Sequence, residues 1–103
     1  MAFKTTKTTT PQEVAARLNA GEKLTMIDVR EPAEWASGHV AGVKHIPLGQ
    51  LAERIGELDP SQETIVICRS GNRSGLACEL LEEKGFNVVN MVGGLNAWTD
   101  KLA

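Results

Sequence analysis

Cysteine and aromatic residues are scarce in this chain of 103 residues, which has two cysteines, two tryptophans, two phenylalanines and no tyrosine. Two cysteines are too few for the dense disulfide framework that holds small secreted domains together. We therefore expect a reducing, cytoplasmic environment for Cys68 and Cys78. In that environment a free thiol is either an inert core residue or a reactive group.

Long apolar runs and an excess of one charge are also missing. The longest apolar runs, such as residues 65–68, are far shorter than the roughly 18 residues of a membrane-spanning helix. Eleven Lys and Arg against thirteen Asp and Glu give a net charge of −2, which favours neither nucleic acid nor an anionic membrane as a partner. Residues 1–7 are basic, but no apolar stretch follows them, so no secretory signal is expected.

The composition that remains is that of a globular domain. Apolar residues make up 42% and charged residues 23% of the chain, which excludes a disordered tail, a collagen-like rod and a coiled coil. A chain of this length buries roughly two-thirds of its unfolded surface, enough for one hydrophobic core. One domain is therefore expected over residues 1–103.

Four apolar segments predict strands, at residues 24–28, 43–46, 64–67 and 88–92. The Thr-rich start indicates a frayed end or a short edge strand. Segment 64–67 (Thr-Ile-Val-Ile) is apolar without alternation, which is typical of a strand buried on both faces of a parallel sheet. Because helical patterns separate the strands, we predict an α/β fold with a central parallel sheet flanked by helices on both faces.

Helix signals fill the intervals between these strands. Thr10-Pro11-Gln12-Glu13 is a capping-box pattern that begins a helix ending near Gly21. Pro32 and the residues after it predict one short helical turn. Apolar residues spaced three or four apart predict three later helices, on the stripes Leu48, Leu51, Ile55 and Leu58; Leu76, Ala77, Leu80 and Leu81; and Leu95, Trp98 and Leu102.

The segment with the clearest chemistry is Cys68-Arg69-Ser70-Gly71-Asn72-Arg73-Ser74, called here the cysteine loop. It joins a predicted strand to a predicted helix, so it lies at the edge where parallel sheets bind ligands. Converging backbone N–H groups, the positive end of the helix and two guanidinium groups all favour an anion over a neutral thiol. The opposing interpretations are a small buried core cysteine and a loop that only binds phosphate or sulfate.

Five segments together resemble the rhodanese-like domain family. They are Asp28-Val29-Arg30; Glu34-Trp35; Gly38-His39-Val40-Ala41-Gly42 with His45-Ile46-Pro47; Cys68 to Arg73, which is similar to the family's C-x-x-G-x-R loop; and Gly93-Gly94 with Trp98. The resemblance covers about residues 8–102, in the family's order and spacing, and it implies the rhodanese-like fold. Val43 and His45 depart from the Ala and Asn usual in the family.

The resemblance implies a sulfurtransferase that needs no cofactor. Cys68 would be the catalytic nucleophile and would carry the sulfur as a persulfide. The substrate-binding residues would be Arg69, Ser70, Gly71, Asn72 and Arg73, with Arg73 helping to hold an anionic donor such as thiosulfate. Cyanide or a thiol, free or on a partner protein, would then remove the sulfur. The sequence does not indicate the oligomeric state.

Other polar residues are expected to be structural. Asp28 and Arg30 could shape the rim of the site, but an ion pair is favoured, and Glu34 is expected to pair with a nearby arginine. His39 and His45 are interpreted as hydrogen-bonding residues, and with one loop cysteine they lack the spacing of a metal site. Cys78 could resolve an oxidised Cys68, although a buried structural thiol is the favoured interpretation.

Two alternative functions remain open from the sequence. Many rhodanese-like domains without the cysteine are binding or regulatory modules, whereas this chain has kept Cys68. Cysteine-dependent phosphatases also place a Cys and an Arg around an anion-binding loop, but five residues separate them there and four do here. The shorter loop suits a single sulfur better than a tetrahedral phosphate.

Overall fold

The computed structural model describes residues 6–103 and contains a five-stranded parallel sheet. Its strands are β1 (Lys7–Thr9), β2 (Thr25–Asp28), β3 (Lys44–His45), β4 (Thr64–Ile67) and β5 (Val88–Met91). Their order is β1-β5-β4-β2-β3, and all four neighbouring pairs are parallel. The predicted parallel sheet is confirmed, and part of the Thr-rich start forms its edge strand β1. The expectations for residues 1–5 lie outside the described part of the chain.

Three α-helices accompany the sheet: α1 (Pro11–Asn19), α2 (Pro32–Ala36) and α3 (Asn72–Glu83). The start of α1 follows the predicted capping pattern, because the Thr10 hydroxyl accepts the backbone N–H of Glu13 at 3.1 Å. The helix α3 begins earlier than its apolar stripe suggested. It follows directly on Gly71, whose φ of +105° is in the left-handed region that favours glycine.

Two predicted helices are wrong in length or type. Residues 48–58 form two short 3-10 helices, Leu48–Gln50 and Ile55–Glu57, instead of one α-helix. The pairs Leu48–Leu51 and Ile55–Leu58 are each three residues apart, which fits the three-residue turn of a 3-10 helix. The last predicted helix is also a short 3-10 helix, Gly94–Ala97, called here the 94–97 segment. Residues 101–103 are irregular.

Helical elements cover both faces of the sheet, as predicted. On one face, α3 and the two short 3-10 helices pack against Val66 and Cys68. On the other face, α1, α2 and the 94–97 segment pack against Ile65 and Ile67. The strand β4 is buried along its whole length. Cys68, which follows it, therefore lies near the centre of the fold. Within residues 6–103, no helix is long and apolar enough to cross a membrane.

Candidate active site

The thiol of Cys68 lies at the carboxyl end of β4, under the cysteine loop. Its side chain points to the α3 face of the sheet, and the residue is 0% exposed. The sulfur accepts a hydrogen bond from the backbone N–H of Gly71 at 2.9 Å and lies 3.3 Å from Ser74 Oγ. Arg69 and Ser70, by contrast, are exposed. The loop therefore folds back over the sulfur and directs at least one backbone donor at it.

The 94–97 segment holds the first half of the cysteine loop in place. The backbone N–H of Leu95 donates to the Cys68 carbonyl, and that of Asn96 donates to the Arg69 carbonyl, each at 2.9 Å. Gly94 makes this approach possible, because a Cβ there would lie 2.5 Å from both carbonyl oxygens. With these two carbonyls bonded to the 94–97 segment, the N–H groups further along the loop are free to surround the sulfur.

Hydrogen bonds lower the pKa of the Cys68 thiol below its ordinary value. Burial is the largest single influence and raises the pKa, but four hydrogen-bonding groups together outweigh it. These groups are the Ser74 hydroxyl and the backbone N–H groups of Ser74, Gly71 and Ser70. For Cys78, burial is again the largest influence and nothing opposes it, so its pKa rises to about 12. The two thiols therefore differ in acidity although both are buried.

This difference predicts selective alkylation by iodoacetamide. Because the thiolate is the reactive form, its fraction falls tenfold for each pH unit below the pKa. We expect the labelling of Cys68 to reach its midpoint below that of an unstructured thiol, while Cys78 stays unlabelled at the same pH. Mass spectrometry of each cysteine across a pH series measures this. Denatured protein is the control, in which both cysteines should titrate alike, and equal midpoints in the folded protein would contradict the expectation.

The guanidinium of Arg73 is engaged by a carboxylate. Arg73 donates to both oxygens of Glu34, at 2.6 and 2.8 Å, which joins the cysteine loop to α2. The hydrogen bonds from Arg73 are the main reason that the pKa of Glu34 falls to about 2. This is the expected pairing of Glu34 with an arginine. A role of Arg73 in holding an anionic donor stays a prediction, and such a donor would meet a charge that Glu34 already balances.

A cleft of about 290 Å³ opens beside the cysteine loop. Its walls are Arg30, Glu34, Ser37, Arg69, Leu95 and Asn96. Within residues 6–103, the guanidinium of Arg69 makes neither a hydrogen bond nor an ion pair, in contrast to the guanidinium of Arg73. Arg69 is therefore the arginine of the loop whose charge is available to an anion entering the cleft.

Asp28 and Arg30 form a buried ion pair at the end of β2, as the sequence favoured. Arg30 Nε lies 3.0 and 2.9 Å from the two carboxylate oxygens of Asp28. The same guanidinium donates to the carbonyls of Glu34 and Gly38, at 3.1 and 2.8 Å. The two bonds to carbonyls tie the end of β2 to α2 and to the turn after it. The pair fixes the wall of the cleft that carries Glu34.

Both histidines stack on Trp35. The ring centroid of His39 lies 3.6 Å from that of Trp35, and the ring centroid of His45 lies 4.7 Å from it, with nearly parallel planes. His39 Nδ1 contacts the Trp35 carbonyl at 2.9 Å, and His45 Nε2 contacts the Arg30 carbonyl at 2.7 Å. The structure thus gives both histidines the structural, hydrogen-bonding role that was expected, and it adds stacking on Trp35. Residues 6–103 contain no cluster of metal-ligating side chains.

Sequence reasoning missed a polar network between α3 and β5. Ser74 Oγ lies 3.3 Å from the Cys68 sulfur and donates to Asn90 Oδ1 at 2.5 Å. Asn90 Nδ2 in turn donates to the Gly71 carbonyl at 3.2 Å. The available signal was a single polar residue inside the apolar segment 88–92, where an amide has to find partners.

Nearly the whole chain matches a single protein family. Residues 10–101 match the family described as "Rhodanese-like domain". A solved structure, of a rhodanese-like domain protein from Staphylococcus aureus, superposes with a TM-score of 0.89 at 30% identity. The superposition covers 94% of this chain and 96% of that one.

Two relatives from Bacillus subtilis are similar over most of this chain. The protein named "Putative sulfurtransferase YtwF" is 44% identical over 82 residues, which are 80% of each chain. The protein named "Putative sulfur carrier protein YrkF" is 41% identical over 86 residues. That match covers 82% of this chain but 46% of the relative, so the chain spans about half of that longer protein.

Proposed function

The chain belongs to the rhodanese-like domain family, and we propose that it is a sulfurtransferase in which Cys68 carries the transferred sulfur as a persulfide. The observation that carries this proposal is the environment of the Cys68 sulfur. The sulfur accepts the Gly71 N–H at 2.9 Å at the carboxyl end of β4, and its pKa is lowered. The names of the two relatives, a sulfurtransferase and a sulfur carrier, fit a cysteine that binds sulfur reversibly.

In the first half-reaction, the Cys68 thiolate attacks the outer sulfur of a donor such as thiosulfate. A bond forms between Cys68 Sγ and that sulfur, and the bond from the outer sulfur to the sulfonate breaks. Sulfite leaves with the bonding electron pair. The enzyme retains a persulfide anion, whose charge the N–H groups of the cysteine loop can stabilise.

In the second half-reaction, a nucleophile such as cyanide or a thiolate attacks the outer sulfur of the persulfide. The sulfur–sulfur bond breaks and its electron pair returns to Cys68 Sγ, which restores the thiolate. Cyanide leaves as thiocyanate, and a thiolate leaves as a new persulfide. Both half-reactions conserve charge, and neither needs a general base once the thiol is ionised, which agrees with the packing role of His39.

The length of the loop favours sulfur over phosphate as the transferred group. Four residues lie between Cys68 and Arg73, so the ring of N–H groups is small. The guanidinium that would complete a phosphate cradle is held by Glu34 instead. Sulfur transfer needs no such phosphate cradle, because the small ring can surround one terminal sulfur.

The experiment that tests the proposal is intact-mass analysis with thiosulfate. We expect the protein to gain the mass of one sulfur atom and to lose it on addition of cyanide, with formation of thiocyanate. An aryl phosphate serves as the alternative substrate and should not be hydrolysed. The proposal is wrong if no sulfur is added, or if Cys68-dependent phosphate hydrolysis is faster than sulfur transfer.

A further inference from the structure

The side-chain amide of Asn90 has a fixed orientation. Its Nδ2 donates to the Gly71 carbonyl at 3.2 Å, and a carbonyl can only accept. The opposite end, Oδ1, therefore faces Ser74 Oγ at 2.5 Å. Since Oδ1 is an acceptor too, Ser74 must give Asn90 the one hydrogen of its hydroxyl. The lone pairs of Ser74 Oγ are then left for the Cys68 sulfur, 3.3 Å away.

We propose that Asn90 is a positioning residue that acts through Ser74 and opposes ionisation of the Cys68 thiol, against the backbone N–H groups of the cysteine loop that favour it. The inference rests on the proposed function, in which that sulfur is the nucleophile. While Asn90 keeps the hydroxyl hydrogen, Ser74 Oγ accepts the S–H of Cys68. The thiolate needs the reverse direction, because an anion requires a donor. To supply it, Ser74 must rotate its hydrogen to the sulfur and leave Asn90 Oδ1 without a partner.

The competition between Cys68 and Asn90 for the Ser74 hydrogen affects the thiol, the thiolate and the persulfide of Cys68 differently. On ionisation the proton of Cys68 leaves to water, and the Ser74 hydrogen is contested between the sulfur and Asn90. In the persulfide, Sγ is bonded to the outer sulfur and has neither a hydrogen nor the main charge, so Ser74 can return its hydrogen to Asn90. The Ser74–Asn90 pair thus favours the thiol and the persulfide, whereas the backbone N–H of Gly71, which donates to the sulfur, favours the thiolate. A less stabilised thiolate is also the better nucleophile.

The charged and titratable groups around Cys68 are separate from this network. They are Arg69 and Arg73 in the cysteine loop, Glu34 on α2 bonded to Arg73, the Asp28–Arg30 pair at the end of β2, and Cys78 on α3. Strand β5 and the 94–97 segment contribute no charged residue. Replacing Asn90 by a neutral residue therefore leaves every neighbouring charge unchanged.

A double-mutant cycle on Ser74 and Asn90 tests the proposal through the pH midpoint of Cys68 alkylation. With Ser74 present, Asn90→Ala should release the hydroxyl hydrogen to the sulfur and lower the midpoint by about one pH unit, the scale of one hydrogen bond to a charged group. Below both midpoints this means roughly tenfold faster labelling. In the Ser74→Ala background, the same Asn90→Ala change should leave the midpoint unmoved.

A second comparison needs no change at Ser74. Asn90→Asp keeps an acceptor for Ser74 and adds a negative charge, so it should raise the midpoint, opposite to Asn90→Ala. If Asn90→Ala shifted the midpoint of Cys68 alkylation equally with Ser74 present and in the Ser74→Ala background, the substitution would only loosen the loop. That result would overturn the inference. Shifts of the same sign for Asn90→Ala and Asn90→Asp would overturn it as well. Either result leaves the proposed function intact if thiosulfate still loads sulfur onto the protein, whereas loss of loading in the unmodified protein would refute that function itself.

Discussion

Replacement of Cys68 by serine is expected to abolish transfer of sulfur from thiosulfate to cyanide, with a loss of at least about a thousandfold. Serine is nearly the same size as cysteine and can accept the same N–H from Gly71, which lies 2.9 Å from the sulfur. Its hydroxyl, however, does not ionise near neutral pH and cannot form a persulfide. The rate of thiocyanate formation measures the loss, and intact mass should show no added sulfur.

Cys78→Ala is the matched control for this prediction. Cys78 is as buried as Cys68, but its pKa of about 12 keeps it a neutral thiol. Alanine removes one buried sulfur from α3 and adds no unpaired polar group, so we expect most of the activity to remain and the stability to fall slightly. An active Cys68→Ser variant together with an inactive Cys78→Ala variant would reverse the roles assigned to the two cysteines.

Gly94→Ala is expected to lower the free energy of unfolding by more than about 3 kcal/mol and to disrupt the cysteine loop. Two effects add at this position. Its φ of +55° lies in the left-handed region, which costs roughly 1–2 kcal/mol for a residue with a Cβ. The new Cβ would also lie 2.5 Å from the carbonyl oxygens of Cys68 and Arg69. These are backbone atoms of the loop, so the 94–97 segment and the loop must separate.

Gly21→Ala separates the two effects. Gly21 has a φ of +86°, but a Cβ there would meet nothing within 4 Å. We therefore expect Gly21→Ala to show only the conformational cost, with normal sulfur loading, whereas Gly94→Ala should lose both stability and loading. Urea denaturation of the two variants measures the difference. Equal unfolding free energies would show that contact with the loop carbonyls contributes nothing.

The layered fold could be predicted because its signals are local in the sequence. Segment 64–67 is apolar without alternation, and this pattern alone indicates a strand buried on both faces. The capping pattern at Thr10 likewise marked the start of α1 within one residue. The error at residues 48–58 has a similar local origin, since residues three apart fit both an α-helix and a 3-10 helix. Periodicity cannot separate the two when the apolar pairs are short.

The position of the cysteine loop could also be predicted, but not its partners. The strand before Cys68 and the helix after it place the thiol at the sheet edge. The contacts that shape the site come from residues far away in the sequence, since Glu34 is 39 residues from Arg73 and Asn90 is 16 residues from Ser74. Many carboxylates could have paired with Arg73, and only the folded chain selects Glu34.

The residues that close the cysteine loop are synthesised after Cys68. The partners of the loop carbonyls, Leu95 and Asn96, follow Cys68 in the sequence, as does the strand β5 that lies beside β4. A growing chain on the ribosome therefore contains Cys68 well before the groups that close the loop around it. Until they emerge, the thiol is that of an ordinary unfolded cysteine. The pKa of Cys68 is lowered only late in folding, when the last quarter of the chain packs against β4 and the cysteine loop.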